Sequence, residues 1–240
     1  MGNIFKRVEK KYLITGEQTE QLLHALGSRV VPDQYGLHTI CNIYFDTETN
    51  EMIRRSIDKP VYKEKLRLRS YGIPTDESMV FLELKKKWGK TVYKRRVEMP
   101  LQTAKDYLDR GIYPDEYDCQ ILREIDYALH FYPLQPSIYI AYDRQAYTLA
   151  DDQEIRFTVD KGIRSRLKEL DLTKGDYGNR LFDDDIRVLE LKAQAALPQW
   201  FVAQLSELCI YPNSFSKYGS IYKALKNTEL KENGECLQAY

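Results

Sequence analysis

Alternating polar and apolar positions recur along most of the chain and predict β-strands. Between Lys63 and Tyr71 the basic side chains fall on one face of an extended strand, and Leu66 and Leu68 fall on the other. Segment 80–87 repeats this alternation, and segment 91–99 follows after a turn that contains glycine, as in a β-hairpin. Shorter runs of the same kind lie at residues 7–13, 40–46, 138–144, 147–149, 155–160 and 188–192. The pattern predicts about eight strands, most of them charged on one face and apolar on the other.

Helical patterns occupy the intervals between these strands. Thr15 and Gln18 form a capping box ahead of an apolar stripe that closes near Gly27. Further helices are predicted at residues 103–108, 115–131, 198–209 and 216–226. No internal repeat or linker interrupts the pattern. We therefore predict a single domain over residues 1–240, with a polar tail at 227–240.

Composition is that of a soluble globular protein. Hydrophobic residues make up 43% of the 240 residues and aromatic residues 12%, which is enough for a sizeable core. No apolar run approaches the roughly 20 residues that span a bilayer, and the first residues lack the apolar stretch of a secretory signal. The cysteines have no CxxC spacing, which argues against a zinc site or a disulfide framework; they are Cys41, Cys119, Cys209 and Cys236. A cytoplasmic location is expected.

The placement of charge is more informative than its sum. The chain has 36 basic and 36 acidic residues, so neither nucleic acid nor an anionic membrane is an expected partner. Residues 59–96, however, hold twelve basic and four acidic side chains. The strand alternation brings most of these bases to one face. The bases on that face are Lys63, Lys65, Arg67, Arg69, Lys85, Lys87, Lys94 and Arg96.

Two arrangements can account for such charged faces. An antiparallel sheet with one face in water needs no function for the charges there, although like charges directly opposite each other cost roughly 0.2–1 kcal/mol. A barrel of about eight antiparallel strands would instead turn the charged faces inward, where cations repel unless a polyanion neutralises them. We predict the second arrangement: an α+β fold with an eight-stranded antiparallel β-barrel, helices packed outside, and a ligand with several phosphates.

Seven short motifs occur in an order that resembles one known family. They are Arg7-Val8-Glu9-Lys10-Lys11-Tyr12, Tyr44-Phe45-Asp46, Tyr62 to Gly72, Glu83-Leu84-Lys85, Tyr93-Lys94-Arg95-Arg96, Leu189-Glu190-Leu191-Lys192 and Phe215-Ser216-Lys217-Tyr218. Together they are similar to the catalytic domain of the vacuolar transporter chaperone (VTC) complex and its free-standing bacterial relatives, within the triphosphate tunnel metalloenzyme (CYTH-like) superfamily. The likeness covers about residues 5–226. It implies an eight-stranded triphosphate tunnel that uses Mn²⁺ or Mg²⁺ and makes inorganic polyphosphate from ATP.

The resemblance also implies roles for individual residues. The catalytic residues would be Lys85, Arg67 and Arg69. The other phosphate ligands would be Lys11, Lys65, Lys94, Arg96, Arg144, Arg156 and Lys217, with Lys94 preferred to Arg96 as the ligand from its strand. Tyr142 would stack on the base, and Glu190 would ligate the metal. Members of the family carry a second lysine three residues before Lys217, where this chain has Ser214.

Three activities are compatible with this resemblance. A polymerase transfers the ATP γ-phosphate to a growing polyphosphate chain, whose ionised end needs no general base. Hydrolases of the superfamily begin with a Glu-x-Glu-x-Lys strand, whereas this chain has Arg7 in place of the first acid. The loss of that carboxylate favours the polymerase. The alternatives are a metal-dependent tripolyphosphate or nucleoside triphosphate hydrolase and a non-catalytic polyphosphate-binding module. The expected partners are ATP and inorganic polyphosphate or pyrophosphate.

Overall fold

The computed structural model describes residues 8–89, 91–182, 185–194 and 196–232. Its strands are β1 (Val8–Ile14), β2 (Val30–Pro32), β3 (His38–Asp46), β4 (Tyr62–Tyr71), β5 (Met79–Trp88), β6 (Thr91–Pro100), β7 (Gln135–Leu149), β8 (Arg156–Arg166), β9 (Asn179–Arg180) and β10 (Arg187–Ala193). Its α-helices are α1 (Gly16–Leu26), α2 (Glu51–Ile57), α3 (Leu101–Arg110), α4 (Gln120–Phe131), α5 (Gln199–Glu207) and α6 (Lys217–Glu232). Arg7 of the predicted first strand, Lys90 of the predicted turn, Cys236 and the end of the predicted tail lie outside these residues.

The strand and helix predictions are largely confirmed. Within the described ranges, eight strands have seven or more residues, and β5 and β6 pair as the predicted hairpin. The capping box of α1 forms as expected: the amide of Gln18 donates to the Thr15 hydroxyl and the Gln18 side chain accepts from the Thr15 amide. The predicted helix at 115–131 is interrupted, because Cys119 has an extended backbone and α4 begins only at Gln120. Helix α2 was not predicted.

Contacts along the chain divide it into two compact units. The first, called the β1 unit, comprises the described residues of Met1–His38, Tyr142–Ile163 and Arg180–Ser216. The second, called the β4 unit, comprises those of Thr39–Ala141, Arg164–Asn179 and Lys217–Tyr240. Strands β7 and β8 each contribute residues to both. The assignment of the whole chain to one domain stays a prediction.

In the β4 unit the strand order is β7-β3-β4-β5-β6, and the β3-β4, β4-β5 and β5-β6 pairs are antiparallel. The apolar residues of β4 and β5, such as Leu66, Leu68 and Leu84, are buried in one cluster with α3 and α4. Burying one such leucine contributes roughly 1.5–3 kcal/mol. The charged residues at the alternate positions, such as Lys65, Arg67 and Lys85, therefore occupy the face turned away from α3 and α4, as predicted.

In the β1 unit the order is β1-β10-β8-β7, and β2 pairs with β7. Strand β10 pairs antiparallel with both β1 and β8. Leu189, Leu191 and Phe157 are buried against α1 and α5, and the charged residues at alternate positions take the opposite face. The predicted α+β fold, with antiparallel strands and helices on their apolar faces, is confirmed, and closure of the strands into a tunnel stays a prediction.

Candidate functional site

The β4 unit carries a cationic face, formed by alternate residues of β4, β5 and β6. The strand register places its side chains in three rows across the sheet: Lys63 and Lys87; Lys65, Lys85 and Lys94; and Arg67, Glu83 and Arg96. The first two rows contain only lysines at these positions. Side chains directly opposite each other have Cβ atoms about 4.5–5.5 Å apart, so these ammonium groups repel.

A carboxylate organises the arginine row. Arg67 donates to Glu83 over 2.6 Å, and the Nε atom of Arg69 lies 3.7 Å from the same carboxylate. Burial raises the pKa of Glu83, but the charges of Arg67, Arg69 and Arg96 outweigh this effect and lower it. Glu83 is therefore a carboxylate at neutral pH and fixes the guanidinium of Arg67, whereas Arg69 donates from Nε to the side-chain oxygen of Asn42 at 3.0 Å. Guanidinium groups held in this way can bind phosphate oxygens.

Two tyrosines lie against the cationic face. The hydroxyl of Tyr44 accepts a hydrogen bond from Arg67 at 3.0 Å, and its ring packs on that of Tyr218 with centroids 5.0 Å apart. Burial raises the pKa of Tyr44, but the charges of Arg67, Arg69 and Lys65 outweigh it and lower that pKa to about 8. The hydroxyl of Tyr44 can therefore ionise at moderately alkaline pH.

Asp46 fixes the first residues of two helices, α2 and α6. Its carboxylate accepts the amides of Met52 and Ile53 at the start of α2 and the hydroxyl of Tyr218 at the start of α6. The ammonium of Lys65 lies 6.0 Å from the centroid of the Tyr218 ring. Lys217, the first residue of α6, is therefore placed by the anchoring of its neighbour Tyr218.

The β1 unit carries a mixed face, in which acids and bases alternate. The Lys11 ammonium lies 3.8 Å from the Glu190 carboxylate and 3.9 Å from that of Glu9, and Lys192 lies 2.7 Å from Glu190. Lys11 is opposite Glu190 in the register of β1 and β10. Each of these lysines thus has a carboxylate close by.

A buried ion pair is the second feature of the mixed face. The guanidinium of Arg144 binds both carboxylate oxygens of Asp160, at 2.6 and 2.8 Å, and Asp160 is completely buried. Burial lowers the pKa of Arg144, but the charges of Tyr142, Asp160 and Glu190 raise it overall. Arg156 is exposed at the start of β8 and donates to the backbone carbonyl of Gln153.

Tyr142 is only 3% exposed, and the guanidinium of Arg144 lies 5.2 Å from the centre of its ring. Stacking of this ring on a nucleotide base would require a shift of the side chains around it. The role in base stacking stays a prediction.

The oxygen atoms around Glu190 suit a divalent metal ion. Glu9 and Glu190 both approach Lys11, and Thr158 is opposite Glu190 in the register of β8 and β10. The Thr158 hydroxyl is buried and, within the part of the chain that the structure describes, has no hydrogen-bond partner. No group of three or more Asp, Glu, His or Cys side chains is placed to hold a metal among the described residues. These oxygens fit an ion such as Mg²⁺, which is usually bound by one or two carboxylates and completed by substrate phosphates and water.

The structure thus distributes the predicted site residues over two faces. The cationic face contains Lys65, Arg67, Arg69, Lys85, Lys94 and Arg96, with Lys217 nearby in the same unit, and the mixed face contains Lys11, Tyr142, Arg144, Arg156 and Glu190. Sequence reasoning missed Glu83, Asp160 and Tyr44 as partners of these arginines. Their position on the charged side of a strand was the available signal, but only the register shows which arginine each one meets.

No helix of the described residues is long and apolar enough to cross a membrane.

Comparisons with known proteins identify both a family and a fold. The family model described as the VTC domain matches residues 6–226. Among solved structures, a candidate adenylate cyclase from Bacillus halodurans is 15% identical over 88% of this chain and 93% of its own, with a TM-score of 0.53. A candidate adenylate cyclase from Vibrio parahaemolyticus is 10% identical over 90% of this chain and 97% of its own, with a TM-score of 0.51.

A candidate adenylyl cyclase from Hippeastrum, whose description reports a dominant triphosphatase activity, is 15% identical over 96% of this chain and 97% of its own, with a TM-score of 0.52. These identities are low, so the likeness shows that the fold is shared. Comparison with curated proteins finds no matching sequence.

Proposed function

Because the chain belongs to the VTC domain family, as the seven sequence motifs predicted, we propose that it is a polyphosphate polymerase. In this reaction the γ-phosphate of ATP is transferred to the end of a growing inorganic polyphosphate chain. The observation that carries the proposal is the cationic face of the β4 unit, where lysines oppose lysines in the register of β4, β5 and β6. Such a face is stabilised by a ligand with several negative charges in a row.

The cationic face supplies what phosphoryl transfer requires. Charge spreads over the equatorial oxygens of the transferred group, so catalysis consists mostly of positioning and electrostatic stabilisation. Arg67 is held by Glu83 and Arg69 by Asn42, and their guanidinium groups would bind phosphate oxygens in a fixed geometry. Lys85, on the next strand, would neutralise the charge that develops during transfer. The acceptor, a phosphate oxygen, is already ionised and needs no general base.

The remaining phosphate ligands are proposed by their place in the family motifs. In the cationic face and beside it these are Lys65, Lys94, Arg96 and Lys217. In the mixed face Lys11, Arg144 and Arg156 would bind phosphate, and Tyr142 would contact the base. Arg144 is pre-oriented by its two hydrogen bonds to Asp160, so the guanidinium enters the reaction without loss of conformational freedom.

A divalent metal, Mn²⁺ or Mg²⁺, would be held by Glu190 with help from Glu9 and the Thr158 hydroxyl. When bound, such an ion supplies charge neutralisation and orientation for the phosphate oxygens. Lys11 and Lys192 now neutralise Glu190 and would turn toward the substrate phosphates. The proposed location of the reaction is the cytoplasm.

Hydrolysis of triphosphate is the second candidate function. It is favoured by the fold shared with the Hippeastrum protein, whose description reports triphosphatase activity. The first strand argues against it, because Arg7 stands where the hydrolases of the superfamily carry an acid.

The test is a turnover assay with ATP and Mn²⁺, with the products resolved by size. ADP together with polyphosphate chains that lengthen with time supports the polymerase. Orthophosphate released from tripolyphosphate without chain growth supports the hydrolase instead. Tight binding of polyphosphate without turnover would leave only a binding module.

The metal site is tested with Glu190→Gln, which removes one charge without a change of shape. We expect turnover and Mn²⁺ affinity, measured by paramagnetic resonance, to fall together, and a thermal melt confirms that the variant is folded. Glu207→Gln, which alters an exposed carboxylate on α5, is the control and should change neither. Unchanged Mn²⁺ affinity in Glu190→Gln would remove Glu190 from the metal site.

A further inference from the structure

The outermost row of the cationic face contains Lys63 and Lys87, to which neither the sequence motifs nor the proposed reaction gives a role. These residues are directly opposite each other on β4 and β5, next to the row of Lys65, Lys85 and Lys94. Lys59 lies close enough for its charge to act on Lys63. Two neighbouring rows therefore hold five lysines.

The length of β4 separates this row from the arginines. From Arg69 to Lys63 the strand advances six residues, which is about 20 Å at 3.3–3.4 Å per residue. Three linked phosphates are much shorter than this. A triphosphate centred on Arg67 and Arg69 therefore ends near the row of Lys65 and Lys85, and the row of Lys63 and Lys87 lies one further step of about 7 Å along the strand.

A hydrogen bond also holds the Lys63 ammonium in a position where neighbouring cations repel it. Its ammonium donates to the backbone carbonyl of Ser56 in α2 at 3.0 Å. Burial lowers the pKa of Lys63, and the charges of Lys87, Lys85 and Lys59 lower it further. A surface lysine could avoid such repulsion by turning into solvent, whereas Lys63 is fixed beside other cations. An anion between Lys63 and Lys87 would remove this destabilisation.

Resting on the proposed function, we propose that Lys63 and Lys87 form a subsite for the phosphates of a linear polyphosphate that lie beyond the first three. The arginine end of the cationic face binds a triphosphate group of any origin, and the lysine end adds affinity only when the chain is longer. Preference for long chains over tripolyphosphate is the property that this subsite confers.

The test compares two double variants that each remove two positive charges from β4, β5 or β6. Lys63→Gln/Lys87→Gln empties the subsite. Lys86→Gln/Arg95→Gln is the matched control, because both side chains lie on the opposite face and pair with Glu124. Dissociation constants for tripolyphosphate and for long-chain polyphosphate are measured by calorimetry at one ionic strength, and thermal melts confirm that each variant is folded.

We expect Lys63→Gln/Lys87→Gln to weaken long-chain binding by about tenfold or more, since two charge-assisted contacts are lost, while tripolyphosphate binding changes by less than about threefold. The control should alter both ligands equally and slightly. Equal losses for both ligands in the subsite variant, or no loss for either, would overturn the subsite but leave the proposed function standing. Failure of the wild-type protein to bind either ligand would overturn both.

Discussion

The cationic face and the mixed face are built on the same strand alternation, but they balance their charges in different ways. On the mixed face, Lys11 and Lys192 flank Glu190, and Arg144 is paired with a buried aspartate. On the cationic face, Lys65, Lys85 and Lys94 stand opposite one another. The mixed face is therefore stabilised by its own side chains, whereas on the proposed function a bound polyanion would stabilise the cationic face. Removal of a charge should have opposite consequences in the two places.

The largest change in stability is expected on the mixed face, from the substitution Asp160→Asn. This change leaves Arg144 without its buried counter-ion and should lower the free energy of unfolding by about 3–5 kcal/mol. Chemical denaturation measures it. Asp118→Asn is the control, because the Asp118–Arg123 pair is exposed and screened by solvent, so little change is expected.

Should Asp160→Asn fail to fold, the double variant Asp160→Asn/Arg144→Gln distinguishes the causes. It removes the uncompensated charge and should recover part of the stability. A double variant no more stable than the single one would contradict the idea that charge pairing stabilises the mixed face.

The next effect is expected on the cationic face, from Lys85→Gln. Turnover should fall about 100- to 1,000-fold, equivalent to about 2.7–4 kcal/mol of transition-state stabilisation. The thermal stability in phosphate-free buffer should stay unchanged or rise, because one of three opposed lysines is gone. Lys86→Gln, one residue further and on the other face, should keep turnover and lose a little stability through its contacts with Glu64 and Glu124. A Lys85→Gln protein that is less stable but fully active would place Lys85 among the structural residues.

The faces themselves could be predicted from sequence, because side-chain alternation is a local property of a strand. Leu66 and Leu68 are buried and Lys65 and Arg67 lie on the other side, as the pattern required. The order of the motifs was enough for the family, and the motif residues that the structure describes lie on or next to strands or the start of α6. The side chains that the alternation assigns to the charged face of β4 and β5 therefore lie on that face, and their roles in a site stay predictions.

The partners of these residues could not be predicted, because they depend on register and on long-range packing. Glu83 meets Arg67 only through the alignment of β4 with β5, and Asp160 of β8 meets Arg144 of the neighbouring strand β7. Tyr218 reaches Asp46 from 172 positions away in the chain. Helix α2 escaped prediction because it has seven residues and its first amides are capped by Asp46, which lies outside the helix.

The third prediction concerns how strongly two ligands of the cationic face stabilise the protein against heat. Tripolyphosphate should stabilise the protein against heat far more than orthophosphate does, because it contacts several cations at once. At about 100 times its dissociation constant a ligand adds roughly 2.7 kcal/mol, which raises the melting temperature by about 5–11 °C in a domain of this size, at about 2–4 °C per kcal/mol. Part of the shift should persist at about 0.15 M salt, since screening acts over about 8 Å. Equal shifts from the two ligands would show that the lysine rows act as separate single-phosphate sites.

The smallest effect is expected from Tyr44, and it concerns pH. With its pKa lowered to about 8, Tyr44 ionises in the folded protein before the unfolded chain does, at about 10. Between these values the unfolded state binds more protons, so Tyr44 stabilises the ligand-free protein increasingly as the pH rises from about 8 to 10.

The same phenolate neutralises Arg67 and competes with phosphate. The affinity for tripolyphosphate should therefore fall over this pH range by roughly threefold to tenfold, because one added charge is partly screened. Calorimetry and denaturation at several pH values measure the two trends. Tyr44→Phe keeps the ring contact with Tyr218 and should flatten both trends. If wild type and Tyr44→Phe follow the same pH curves, the lysines alone govern the pH dependence of the cationic face.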